Sequence, residues 1–141
     1  MELIKMIVII CLDDNCGMLF NHRRQSQDRI LLEDMMNYSK EKTVYVNEYS
    51  YKLFSDFDSK NLIVDNKLLD TARIGEYCFI EDLSLLPYEE QIEKLIIYKW
   101  NRSYPADFHL DIPLKDRWKK IDIEEFKGSS HEKITKEIYI K

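Results

Sequence analysis

Residues 6–12, MIVIICL, constrain this chain more than any other stretch. Seven apolar residues follow one another, and Ile7, Val8, Ile9 and Ile10 are β-branched. No polar residue alternates with them, so neither face of a strand built here is suited to water. Such a strand belongs inside a sheet that is covered on both sides. A covering layer is close at hand. Leu31, Leu32, Met35 and Tyr38 recur at helical spacing, which makes one apolar helix face. Ser26 is a suitable N-cap, so the pattern predicts a helix from about Gln27 to Ser39.

The same alternation continues. TVYV at 43–46, NLIVD at 61–65, EYCFIE at 76–81 and KLIIYKW at 94–100 read as further strands, rich in β-branched and aromatic residues. Between them, Asn47 is placed to cap a short helix over EYSYKLF, and KLLDTA reads as a short helical stretch. Pro87 fits the first position of another helix, with Glu89 and Glu90 in its first turn. The last forty residues change character. DFHLDI, RWKKIDIEEF and KITKEIYIK read as extended, and the last alternates polar and apolar residues like a strand with one wet face. The predicted fold is α/β: a mixed, mostly parallel central sheet with helices on both faces and antiparallel C-terminal strands. At 141 residues, the chain is expected to form one domain, 1–141.

Charge and cysteine content narrow the function classes. The net charge is −5, whereas general nucleic-acid binders carry a basic excess; nucleic acid is therefore an unfavoured partner, and an RNA-binding or RNA-processing role through a local arginine cluster ranks lowest. Cys11, Cys16 and Cys78 have neither disulfide-framework nor metal-knuckle spacing. Cys11 and Cys78, inside apolar runs, read as small buried hydrophobes. No apolar run reaches the length of a membrane span, and the charged CLDDNC cuts short any secretory signal. The expected location is cytoplasmic, with Met1 or Met6 as the start.

The stretch between first strand and first helix, DDNCGMLFNHRRQSQDR, is too long and too charged for a plain connector. It is expected to form one wall of a pocket at the carboxyl end of the first strand, where open α/β sheets place ligands. Gly17 would let the backbone turn, with Cys16, Met18 and Phe20 facing inward. Asp28, at the start of the helix, is the candidate acid. Arg23 and Arg24, with Arg29 beyond, are the candidate anion ligands, because guanidinium forks bind such groups bidentately. Their alternative partners are the nearby acids Asp13, Asp14 and Asp28.

The order of these pieces resembles the dihydrofolate reductase family. DDNCGMLFN is similar to that family's loop after the first strand, SQDRILLEDM to the helix whose first turn bears its one catalytic carboxylate, and EKTVYVNEYSYKLF to Lys-Pro-Val-Ile-Met-Gly-Arg-x-Thr. SKNLIVDN, YPADFHLDI and the final WKKIDIEEFKGSSHEKITKEIYIK have counterparts in the same order. The resemblance implies a three-layer fold, Asp28 as the tentative catalytic carboxylate, and a ligand pocket touching Gly17, Met18, Asn21, Arg23, Arg24 and Tyr98. The chain also departs from the family. It has no adjacent glycines where backbone should approach a cofactor pyrophosphate. Asn47-Glu48 replaces the Gly-Arg that holds the NADPH 2′-phosphate, and the arginine for the folate glutamate tail falls near Ser59.

These departures imply a degenerate member that binds a small anion, a nucleotide or a protein partner without folate reductase activity and without NADPH. An NAD(P)H-dependent reductase with an altered substrate is the alternative. No metal is expected, since no His-x-His-x-Asp-His run occurs. No Gly-x-Ser-x-Gly elbow or phosphate-binding glycine loop occurs either. Ser129 and Ser130 lie beside His131, and this cluster reads as a hairpin turn.

Overall fold

The computed structural model describes residues 5–58 and 60–141. The position near Ser59 expected to replace the family's tail-binding arginine lies outside them. The buried run forms β1 (Met6–Leu12), and it sits within a seven-stranded sheet. Its parallel neighbours are β6 (Tyr77–Phe79) and β7 (Ile92–Lys99). Beyond β6 lie β4 (Val44–Val46) and β5 (Leu62–Val64), also parallel. Beyond β7 lie β10 (Ile134–Ile140) and, at the edge, β9 (Lys119–Phe126), with β10 antiparallel to both of its neighbours. The order is β5-β4-β6-β1-β7-β10-β9. This is the mixed, mostly parallel sheet that the alternation of apolar runs predicts.

The pleat of β1 sorts the core into two layers. Met6, Val8, Ile10 and Leu12 point to one face, and Ile7 and Ile9 to the other. On the second face, α1 (Arg29–Tyr38) buries Leu31, Leu32 and Met35 beside Phe54, which follows α2 (Glu48–Tyr51). On the first face lie α3 (Leu68–Thr71), the 3₁₀ turn Leu86–Gln91 containing Pro87, and α4 (Leu114–Arg117). α3 contributes Leu68 and Leu69 to the core, and Ile112 and Trp118, on either side of α4, join them. Asn47 caps α2 as expected, its side chain accepting from the Ser50 N–H at 2.8 Å.

Three details differ from the sequence reading. The N-cap of α1 is Asp28, not Ser26: Asp28 is extended and its carboxylate accepts from the Leu31 N–H. A charged acceptor suits a helix N-terminus better than a hydroxyl, and Ser26 is engaged elsewhere. Cys78 is fully buried, and burial pushes its thiol up to about 12, but Cys11 is only half-buried. Finally, the loop after β1 is itself structured. It contains β2 (Gly17–Phe20) and β3 (Arg23–Arg24), which join β8 (Phe108–His109) in a small sheet of order β3-β2-β8. Strands of two to four residues carry no readable periodicity.

Candidate functional site

The loop that leaves β1 is organised by its first acid. Asp13 is buried and accepts from the N–H groups of Asn15, Gly17 and Tyr104 and from Gln25 Nε2. Burial alone would raise its carboxyl, but these four donors outweigh it and hold the group below the usual carboxylate range. Gly17 is required for closeness rather than for a turn: a Cβ there would come within 2.7 Å of Ala106 Cβ and Gln25 Nε2. The positive φ, 61°, belongs to Cys16. The expected inward alternation also fails. Met18 and Leu19 are buried, whereas Cys16 and Phe20 are exposed. Asn21 and His22 both have positive φ, and they form the two-residue turn between β2 and β3, the geometry of a type I′ hairpin.

Arg24 reaches across the fold. Its Nε and Nη2 bind Glu81 Oε2 and Oε1 at 2.9 and 3.1 Å, and its guanidinium lies 4.3 Å from the centroid of the Tyr49 ring. Ser50 Oγ adds a third bond to Glu81 at 2.8 Å. The partner is therefore an acid 57 residues away, not one of the loop acids. Arg29 pairs with Glu33 one turn along the helix. Arg23 is exposed.

Asp28 joins the start of α1 to the β9–β10 turn. Beside its cap bond, it accepts from the N–H groups of Ser129 at 3.0 Å and Ser130 at 2.8 Å, and it contacts His131 Nδ1 at 2.9 Å. Burial acts to raise the Asp28 carboxyl, but His131 and the three backbone donors hold it well below the usual carboxylate range. Being ionised, it can only accept, so Nδ1 carries the proton. The other ring nitrogen, Nε2, stands 2.9 Å from Ser26 Oγ and 3.2 Å from the Tyr104 hydroxyl. Trp100 stacks on the imidazole with ring centroids 4.7 Å apart. Ser129 to His131 do form the predicted hairpin turn, closed by Gly128 N–H to His131 O at 2.9 Å. That turn also delivers a histidine to the carboxylate.

Two clefts meet at Gln27. The first, about 340 Å³, runs between the start of α1, residues 52–57 and the β9–β10 turn. Leu32, Leu53 and Phe57 give it apolar walls, Arg29 and Lys52 bring positive charge, and Asp28 and Asp56 bring negative charge. The second, about 570 Å³ and more open, is lined by Arg23, Arg24, Ser26, Gln27 and Tyr49. The structure thus brings Arg23 and Arg24 to one cleft and Asp28 to its neighbour. Met18 meets Arg24 and Ser26 around a void of about 10 Å³. Gly17 and Asn21 serve the loop's own geometry. Tyr98 is buried, donating to Asp34 Oδ2 at 2.6 Å, and burial together with that bond raises its hydroxyl. Sequence reasoning missed Lys52, Glu81 and the link from Ser26 to His131. The last joins positions 105 apart, and the Ser-Ser-His cluster was its only visible signal.

Among the described residues, no group of three or more His, Cys, Asp or Glu is placed to hold a metal ion, and no helix is long and apolar enough to cross a membrane. Layers, strand order and the loop cleft define a dihydrofolate reductase-like fold. Among solved structures, the chain is similar to the dihydrofolate reductase from Enterococcus faecalis complexed with NADP(H) and RAB-propyl. The TM-score is 0.67 over 96% of this chain and 95% of that one, at 9% sequence identity. No protein-family model and no curated protein matches the sequence.

Proposed function

We propose that this chain is a small-ligand-binding domain that takes an anionic ligand or a nucleotide and does not reduce folate. The observation that carries the reading is the first cleft. Its apolar walls, Leu32, Leu53 and Phe57, suit a flat organic body, and Lys52 with Arg29, set beside the acids Asp28 and Asp56, supplies the cations for an anionic end. The chain that follows β6 supports a reading without NADPH. It leaves β6 through Ile80, Glu81 and Asp82, where the resemblance calls for bare glycine backbone. The Asn47 amide donates to Asp82 at 2.8 Å, and the Glu48 N–H is taken by Asn66 at 3.0 Å. A phosphate brought here meets acids and donors that are already engaged.

The test is thermal unfolding with inorganic phosphate, AMP, folate and NADPH in turn. A ligand at 100 times its dissociation constant stabilises a fold by about 2.7 kcal/mol. The expected result is a shift with phosphate or AMP that disappears in the Arg29→Ala/Lys52→Ala variant. No shift with either, or a shift unchanged in that variant, overturns the reading. A shift with NADPH or folate favours the reductase alternative instead.

A further inference from the structure

We infer that Ser26, His131 and Asp28 form an acyl-transfer site that hydrolyses small esters bearing an anionic group. The inference uses the second cleft and does not rest on the ligand cleft of the preceding reading. Three observations carry it. The hydroxyl, imidazole and carboxylate are connected in series, Ser26 Oγ to Nε2 at 2.9 Å and Nδ1 to Asp28 Oδ2 at 2.9 Å. The relay is held rigidly. Asp28 is fixed by three backbone N–H groups, and the imidazole lies buried against Trp100. Its nucleophilic end is open, because Ser26 is half-buried and borders the cleft with Arg23, Arg24 and Tyr49. A tie needed only to pin the β9–β10 turn would be complete with Asp28 and the turn's N–H groups. Here the histidine continues outward to a hydroxyl at a cleft.

The arrangement is the one in which a serine is activated by a neutral imidazole whose tautomer is set by a buried carboxylate. Asp28 holds the proton on Nδ1, so Nε2 is the base. Ser26 Oγ bonds to the ester carbonyl carbon, and its proton passes to Nε2. The carbon–alkoxide bond then breaks, and His131 returns that proton to the leaving alkoxide, which departs as an alcohol. A solvent water adds to the acyl group with its proton passing to Nε2. The carbon–Oγ bond breaks, Ser26 regains the proton, and a carboxylic acid leaves. Arg23 borders the same cleft and supplies N–H donors for the oxygen that takes up charge and for an anionic substituent. Arg24, engaged by Glu81, forms the wall beside it. The Tyr104 hydroxyl, 3.2 Å from Nε2, shares that nitrogen with Ser26.

The experiment treats the full chain with a fluorophosphonate probe and maps the adduct by mass spectrometry after digestion. The expected result is a single adduct on Ser26, absent when the protein is heat-unfolded before labelling. His131→Gln is expected to slow labelling by about 10²-fold or more, the usual weight of a general base. p-Nitrophenyl succinate should be hydrolysed faster than p-nitrophenyl acetate, and Ser26→Ala should abolish both. No adduct on Ser26 in the unaltered chain overturns the inference, whether or not the variants fold. Hydrolysis unchanged in a folded Ser26→Ala variant overturns it too, and equal rates on the two esters overturn the anionic-substrate part.

Discussion

Asp28 shows how much one side chain can hold. Its two oxygens receive the N–H groups of Leu31, Ser129 and Ser130 and the imidazole of His131. Removing it orphans all four. Loss of an N-cap costs about 0.5–2 kcal/mol, and each buried donor left unpaired costs about 1–3 kcal/mol. Asp28→Ala is therefore expected to lower unfolding free energy by about 3 kcal/mol or more, read from urea denaturation. Gly128→Ala tests the same joint from the other side. A Cβ at 128 would run into the Asp28 carboxylate and meet Ile134 Cδ1 at 2.8 Å. That variant should also be clearly destabilised, although no positive φ is involved. A change under 0.5 kcal/mol in either would mean that the joint relaxes without loss. The sequence located Asp28 correctly at the start of the helix, yet not the partners that hold it across the fold. An acid before a helix is visible locally, whereas its main partners lie about a hundred residues away.

At the scale of elements, legibility followed burial. β1, β4, β6 and most of β7 are covered on both faces, and a continuous apolar run states that condition directly; β5, at the edge, leaves Ile63 and Val64 exposed. β10 was legible from its alternation, although the wet face that alternation implies is covered in the structure, where β10 lies between β7 and β9. Its polar positions Lys136 and Glu137 are consequently buried and paired. Lys136 meets Asp34 at 2.9 Å, and Glu137 meets Lys120 and Lys99 at 2.8 and 3.1 Å. The small sheet β3-β2-β8 was not legible, because its pairing depends on Asp107 receiving the Asn21 N–H and on Asp13 drawing in Gly17. The helix layer allows a direct test. Met35 is fully buried under α1, so Met35→Ala should cost about 2–5 kcal/mol. Met36, half-buried one position further round, should cost distinctly less as Met36→Ala. Equal losses in chemical denaturation would show that α1 packs with a different face toward the sheet.

For the whole molecule, acid is the condition that tests these joints together. Asp13, Asp28 and Glu137 are each buried, which acts to raise their pKa. Each is nonetheless held below its ordinary value by the donors around it. A carboxylate depressed in the folded state contributes stability that is complete above its unfolded pKa and is lost as pH falls through the folded one. The unfolded values lie near 4, so stability should be flat from about pH 7 to 5 and fall steeply below about pH 4. Asp28→Asn should flatten that fall; a profile identical to that of the unaltered chain would place the acid sensitivity in other carboxylates. The molecule's charge bears equally on the cofactor. The fold likeness extends over nearly all of both chains, but a shared scaffold does not transmit a site. After β6 the chain runs through the buried, paired Glu81 and then Asp82, with Glu48 at the head of α2. Arg24, the nearest cation, is already neutralised by Glu81 at 2.9 Å. Bringing in a further phosphate would set anion against anion, with no glycine backbone left bare to offset the repulsion. NADPH is therefore expected to bind with a dissociation constant above 100 μM in a titration that follows its fluorescence. Glu81→Gln/Asp82→Asn should tighten it by removing repulsion, at some cost in stability because Arg24 loses its partner. Low-micromolar binding by the unaltered chain, roughly −8 kcal/mol, would show that cations elsewhere in the loop compensate, and the reductase reading would then stand ahead of the binding domain.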